Sequence, residues 1–299
     1  MINTLIQHSI HQLVGGGGPP TAFLAPAGDR GLLGPDSMPW DVHADFISMM
    51  IGGISSLVLQ ALHPGALAGV WDHSRFRRDL QGRLGRTAYF IAATTYGPTS
   101  MANAMIDKVN RIHAHITGLD EFGRPYSATD PHLLNWVHLT ETTSFMRSYL
   151  SYRNPGLPPA EIDRYFSEMN LIGNRLGATT LPNTFADSDK AIEAYFSELH
   201  YGERAQIIIS LLDTFPSSLS SRPFVKLISR AGFLNLPDWA FAKIGRVPPS
   251  RLERIAVKSA VNAIARPIRE ALKNGIATHS YRRIYGFNST RKSYDATQY

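Results

Sequence analysis

Three stretches carry residues whose types and spacing could do chemistry. In residues 99–117, Ile106, Val109, His113 and Ile116 recur at 3-4-3 spacing, so they share one apolar helix face. That spacing predicts an inward His113, with His115 turned outward near Lys108 and Arg111. A buried neutral imidazole with a free lone pair suits a haem iron or another borderline metal ion; it also describes a core histidine bonded to a carbonyl. In residues 130–153, Leu134, His138, Phe145 and Tyr149 line one side, with Trp136 close by and Glu141 and Thr142 one turn beyond His138. A carboxylate three residues on can orient an imidazole or act as a base, or be the partner in an ordinary helix pair. The third stretch is Gly82-Arg83-Leu84-Gly85-Arg86-Thr87, leading into Ala88-Tyr89-Phe90-Ile91-Ala92-Ala93. Arg83, Arg86 and Thr87 stand at i, i+3 and i+4 and so stack on a helix. Two guanidiniums and a hydroxyl suit carboxylates or an oxygen species that accepts hydrogen bonds; a surface arginine pair answering Asp79 has the same pattern.

These side chains need helices to hold them, and helices are what the rest of the chain predicts. Polar/apolar alternation is poor, and no Asn-Gly or Asp-Gly hairpin signal occurs. Asp130-Pro131 supplies a cap and a first-turn proline for a helix running to about Arg153. Gly97-Pro98-Thr99 opens another, closed by Gly118, and Leu157-Pro158-Pro159 opens a third. Asp187 or Ser188 caps a fourth, through about His200. Residues 251–273 form a long amphipathic stretch with Leu252, Ile255, Val261, Ile264, Ile268 and Leu272 on its apolar side and a kink expected at Pro267. The 299 residues, 43% hydrophobic and 18% charged, can bury a sizeable core and exclude wholesale disorder. The expectation is an all-α protein: residues 1–39 as an N-terminal helix (1–14) and a Gly/Pro-rich loop, 40–222 as the helical core, and 223–299 as a basic helical region packed on it with a disordered tail.

Composition removes several chemistries. The chain has no cysteine, which excludes disulfides, thiolate metal sites and cysteine nucleophiles. No G-x-S-x-G elbow, Walker sequence or H-E-x-x-H is present, and Gly15–Gly18 lacks dinucleotide-binding spacing. The formal charge of +6 is uneven: residues 222–299 hold fifteen Lys and Arg against four Asp and Glu, whereas residues 1–221 hold fifteen against twenty. Such a tail fits a solvated basic face, an anionic membrane surface or an acidic partner; no nucleic-acid signature accompanies it, and no nucleic acid is expected. No Lys or Arg precedes Arg30, so no secretory pattern is visible and a cytoplasmic location, with membrane association open, is expected. Residues 47–71 carry no formal charge and are long enough to cross a bilayer, but Gly52-Gly53, Gln60 and His63-Pro64 interrupt them and favour a buried core helix.

Seven blocks in order resemble one family. They are Ala61-Leu62-His63-Pro64, His73-Ser74-Arg75-Phe76, Gly82 to Thr87, Val109 with His113 and Gly118, Pro125 to Pro131, Asn135-Trp136-Val137-His138, and Asp163-Arg164-Tyr165-Phe166. Over roughly residues 40–220 the chain resembles the MpaB-type oxygenases, a family that includes latex clearing protein, the rubber oxygenase. The resemblance implies an all-helical fold, haem b as cofactor, and a histidine axial ligand on the helix after the arginine–threonine motif, a place His113 occupies. In the rubber oxygenases that motif reads Arg-x-x-Lys-Thr and its lysine reaches the iron. Arg83 and Thr87 match, but the lysine position is Arg86, and a guanidinium does not readily ligate iron. An open or water-filled sixth site, or another partner such as His63, is therefore expected. Residues 47–71 contain no glutamate to match the family's upstream base; Asp72 and Glu141 are the acids nearest to the task.

The expected function is thus a haem b-dependent oxidoreductase or oxygenase using an apolar small-molecule or lipid-like substrate and, where it inserts oxygen, dioxygen. His113 would hold iron; Arg83, Arg86 and Thr87 would steady propionates or bound oxygen; His138 would line the pocket or move protons; His63 is a further cofactor contact. The alternative is a non-enzymatic helical protein that binds lipid or a membrane surface.

Overall fold

The computed structural model describes residues 20–214 and 221–286; the helix expected at 1–14 and the tail expected to be disordered lie outside them. The described chain is all-α: thirteen α-helices, one short 3-10 turn and a single hairpin of two three-residue strands. The helices are α1 (Met38–Val42), α2 (Phe46–Gln60), α3 (Pro64–His73), α4 (Leu80–Tyr96), α5 (Thr99–His113), α6 (Pro131–Tyr152), α7 (Pro159–Arg175), α8 (Phe185–Glu193), α9 (Glu203–Asp213), α10 (Arg222–Leu234), α11 (Asp238–Lys243), α12 (Arg251–Ala271) and α13 (Ile276–Tyr285).

The charge-free stretch is divided between α2 and α3, which meet at 106°. Pro64 cannot donate to the carbonyl four residues back, so the first helix stops and His63 becomes the N-cap of the next. Ile47, Ile51, Ile54, Val58, Leu59, Leu62 and Leu67 are all buried, which makes the bent pair the core of the molecule. Among the described residues no single helix is long and apolar enough to cross a membrane.

The central packing is α2 against α6. Gly52 permits it: a Cβ there would fall 2.7 Å from the Phe145 ring and 2.9 Å from the Ser144 carbonyl. The Ser148 hydroxyl seals the crossing by donating to the Ser48 carbonyl at 2.7 Å. Helix α6 starts where the sequence predicts, with Asp130 accepting the His132 N–H at 2.9 Å and Pro131 behind it. Its buried threonines Thr140, Thr142 and Thr143 return their hydroxyls to carbonyls four residues back, at 2.8, 2.8 and 2.6 Å, so they carry no unmet polarity into the core. The basic helix α10 packs on the outer side of α2, and α12 packs on α10 and α6, with Ile228, Val261, Ala265 and Ile268 in the shared core. Arg269 reaches through to Asp45, the buried N-cap of α2, at 2.5 Å.

Some local expectations differ from the structure. Helix α5 ends at His113 rather than Gly118; Thr117–Leu119 instead pairs antiparallel with Pro125–Ser127. Asp120 drives that reversal, its Oδ1 accepting the N–H groups of Phe122 and Arg124 at 2.9 Å each. Strands of three residues are too short to show alternation, which is why the sequence hides them. The fourth expected helix is capped by Thr184, whose hydroxyl accepts the Asp187 N–H and donates to the Asp187 carboxylate, and it stops at Glu193. Helix α12 continues through Pro267, and its apolar side is buried only in its C-terminal half: Leu252 and Ile255 stay exposed at 80% and 52%.

Candidate functional site

Helix α4 begins at Asp79, whose Oδ1 accepts the Gly82 N–H at 2.8 Å. This start places Arg83 in the first turn. The chain then reverses at Gly97-Pro98, so Arg83 and His113, near the far ends of α4 and α5, both sit away from that reversal. Pro98 has no side chain able to cap α5; Asp29 does so from the N-terminal loop, accepting the Thr99 N–H at 3.0 Å and its hydroxyl at 2.9 Å. At its other end Asn110 donates to the Arg175 carbonyl at 3.0 Å, and Arg175 donates to Asn103 at 2.7 Å, tying α5 to the end of α7.

The arginine–threonine motif is divided by its surroundings. Arg83 turns inward over the Phe76 ring at 5.6 Å; its Nε is shielded and has no hydrogen-bond partner. Burial, aided by the nearby Arg86 charge, lowers its pKa to about 10, so it stays a cation at neutral pH. Arg86 is exposed and pairs with Asp79 at 3.5 Å, and Thr87, also exposed, donates back to the Arg83 carbonyl at 3.3 Å. From Arg83 to Ala92 only Gly85 is buried, and the apolar Ala88–Ala92 run is half-buried, with Tyr89, Ile91 and Ala92 packed against the core.

His113 is half-buried rather than fully buried, and burial lowers its pKa, leaving the imidazole neutral at physiological pH. Its Nδ1 is shielded and unpartnered, while His115 is exposed as its phase predicts. His138 is buried in α6, and burial, opposed by the Asn170 side chain, lowers its pKa to about 4. Its Nε2 has no partner. Gly173 of α7 makes room for the ring, since a Cβ there would lie 2.9 Å from the imidazole.

Glu141, one turn past His138, lies deep among the helices without being fully sealed, and no cation faces it among the described residues. Burial raises its pKa to about 7. Nearby Tyr165 has its phenol pushed well up by burial, then by the Glu141 charge. The Tyr165 hydroxyl contacts His43 Nε2 at 3.1 Å, and His43 Nδ1 contacts the Thr95 hydroxyl at 2.8 Å. Sequence reasoning does not single out His43, Tyr165 or Thr95 as a group. His43 stands in the mixed run Asp41-Val42-His43-Ala44-Asp45, which has no periodic signal to mark it; only the fold brings it to Tyr165.

His63 sits elsewhere in its contacts. Its Nε2 meets Glu198 at 3.2 Å and its Nδ1 faces the Ala66 N–H at 3.5 Å. Asp72 accepts from the Tyr126 hydroxyl at 3.1 Å and lies 3.8 Å from Arg204, so it is already engaged.

The unpaired inward Arg83 and the neutral unpaired imidazole of His113 stand in two of the blocks that carry the family resemblance. A family model described as "ER-bound oxygenase mpaB/B'/Rubber oxygenase, catalytic domain" matches residues 40–269. The chain belongs to this mpaB/rubber oxygenase family. It is accordingly an oxygenase-type catalytic domain. The match runs into α12, so the basic helix α10 and the short helix α11 fall inside the catalytic domain. No curated protein and no solved structure matches the chain.

Proposed function

We propose that this mpaB/rubber oxygenase family member is a haem b-dependent oxidoreductase or oxygenase for an apolar small-molecule or lipid-like substrate. The observation that carries the reading is the His113 imidazole, neutral and with its shielded nitrogen unpartnered. A buried polar atom is normally satisfied, and an unsatisfied one costs about 1–3 kcal/mol. His113, Arg83 and His138 each hold such an atom, and each is free to take a ligand. The donor set fits haem: an imidazole for the iron and an unpaired guanidinium for a propionate carboxylate. When bound, haem would supply the dioxygen and one-electron chemistry that this cysteine-free chain's side chains lack.

The chain's own residues do the rest. His113 would bind the iron, and Arg83 would hold a propionate. Glu141, half-ionised near neutral pH, would take a proton from the substrate, as a base with a pKa near the working pH does best. His138 stays uncharged and would line the pocket with its free Nε2. Leu84, Ala88 and Ile91, half-buried on α4, would offer apolar surface to such a substrate. The test is the visible absorption spectrum of the protein as isolated: a haem band that is lost in His113→Ala and kept in His115→Ala supports the assignment. An unshifted band in His113→Ala moves the ligand to another histidine.

A second reading, peripheral membrane contact, draws on one edge of the molecule. Val247, Leu252 and Ile255 are exposed at 88%, 80% and 52%, next to Arg251 and Lys258. Basic side chains around exposed aliphatic ones fit an anionic lipid surface. Sedimentation with acidic-lipid vesicles, weakened by salt and by Leu252→Asp, would support it; sedimentation indifferent to both would reject it.

A further inference from the structure

The elbow between α2 and α3 gathers three metal-ligating side chains that the proposed function does not use. His63 Nε2 lies 3.2 Å from Glu198 Oε2, and His132 Nε2 lies 3.0 Å from both Glu198 oxygens. One donor atom from each residue falls within 4.8 Å of the others. We propose that His63, His132 and Glu198 form a divalent transition-metal site of zinc class, which staples the elbow to α6 and to the segment around residue 198.

The geometry is close to that of a bound ion. Zinc bonds of about 2.0–2.1 Å to nitrogen and oxygen put tetrahedral ligands about 3.3 Å apart. The two histidine–glutamate edges already have this length, so only the two rings need approach each other. Two imidazoles and one carboxylate suit borderline ions, whereas calcium and magnesium ask for more oxygens.

Contacts other than those between the three side chains also hold the ligands. His63 is the N-cap of α3 through its backbone, directly ahead of Pro64; a metal on Nε2 would place the ring proton on Nδ1 and give up only that atom's long 3.5 Å contact with the Ala66 N–H. The His132 ring stacks on Tyr195 with centroids 4.5 Å apart and planes at 24°, and the Tyr195 hydroxyl donates to the His132 carbonyl at 3.0 Å. The His200 N–H donates to the Leu62 carbonyl at 2.7 Å, which pins the Glu198 segment beside His63. Each ligand's backbone is thereby tied to the next, the preorganisation a tight site requires. His63 closes the inner side at 7% exposure, while His132 at 49% and Glu198 at 36% leave the outer side accessible to the ion and to a water as fourth ligand.

The test uses the full chain, stripped with a chelator and titrated with zinc chloride against a chromophoric competitor, with thermal melting alongside. One zinc per chain and a raised melting temperature are expected. Glu198→Gln and His132→Ala, both at solvent-accessible positions, should each weaken binding at least tenfold and remove the thermal shift, with His115→Ala unchanged. Magnesium should give no shift. No saturable uptake by the wild-type chain, equal uptake in Glu198→Gln and His132→Ala, or an equal response to magnesium would overturn the proposal. Neither haem content nor turnover is read, so the outcome is separate from that of the function proposed above.

Discussion

Two regions of this molecule bring histidines into the helical frame, and they treat their polar atoms in opposite ways. At the α2–α3 elbow every imidazole has a partner: His63 and His132 share the Glu198 carboxylate, and Tyr195 stacks against His132. On α4, α5 and α6 four groups have none: Arg83 Nε, His113 Nδ1 and His138 Nε2 lack a hydrogen-bond partner, and Glu141 has no cation among the described residues. The first arrangement is stable as it stands. The second gives up stability that packing elsewhere must offset, and it leaves these groups free to take a ligand.

The comparison is broken most decisively at His113. His113→Ala should abolish the haem band while His115→Ala keeps it, an all-or-none difference read by absorption. Glu141 gives the next largest effect. Its folded pKa, about 7, lies above the ordinary glutamate value of 4.5, so the unfolded chain loses this proton first as pH rises. Stability should therefore fall between about pH 4.5 and 7 and level off above that, by up to about 3 kcal/mol. Glu141→Gln should erase this slope, leaving a variant more stable than the parent at pH 8 and equal to it near pH 4, as urea melts at the two pH values would record. Its turnover should drop, because the base that activates above about pH 7 is gone. A flat parental stability profile would place Glu141 with the satisfied groups and dissolve the contrast.

The elbow should respond more weakly without metal. Glu198→Gln leaves two imidazoles facing an amide at a half-exposed position and should cost about 1 kcal/mol in a metal-free urea melt. A loss several times larger would mean that the elbow is as critical to folding as the α2–α6 crossing. The smallest effect belongs to Arg86. Its exposed pair with Asp79 should contribute less than about 0.5 kcal/mol, so Arg86→Ala should melt like the parent. A large loss of haem with that stability intact would return Arg86 to the site beside Arg83.

Much of this was legible in the residues. The starts of α6 and α7 follow from Asp130-Pro131 and Pro158-Pro159, because a proline at the first turn costs nothing and fixes the backbone for the helix. His115 outward and His138 inward follow from helical phase. The split between Arg83 and Arg86 did not follow. Their spacing puts both on one side of α4, but which of the two is buried depends on Phe76 and on Asp79, a cap that also draws Arg86 outward. The exposure of Leu252 and Ile255 was likewise hidden: α12 is long enough to outrun the core that buries its other end.

Sequence alone determined what is local. Caps, prolines and apolar spacing depend on neighbours a few residues away, so they settle that the chain is helical, where most helices begin, and that no thiol chemistry is available. Tertiary structure decided what is shared across distance: Glu198 between His63 and His132, Asp29 on the head of α5, His43 against Tyr165, and Glu141 left without a cation among the described residues. The physical reason is that burial and pairing are properties of an environment, and the residues that make each environment lie tens to hundreds of positions apart in the chain.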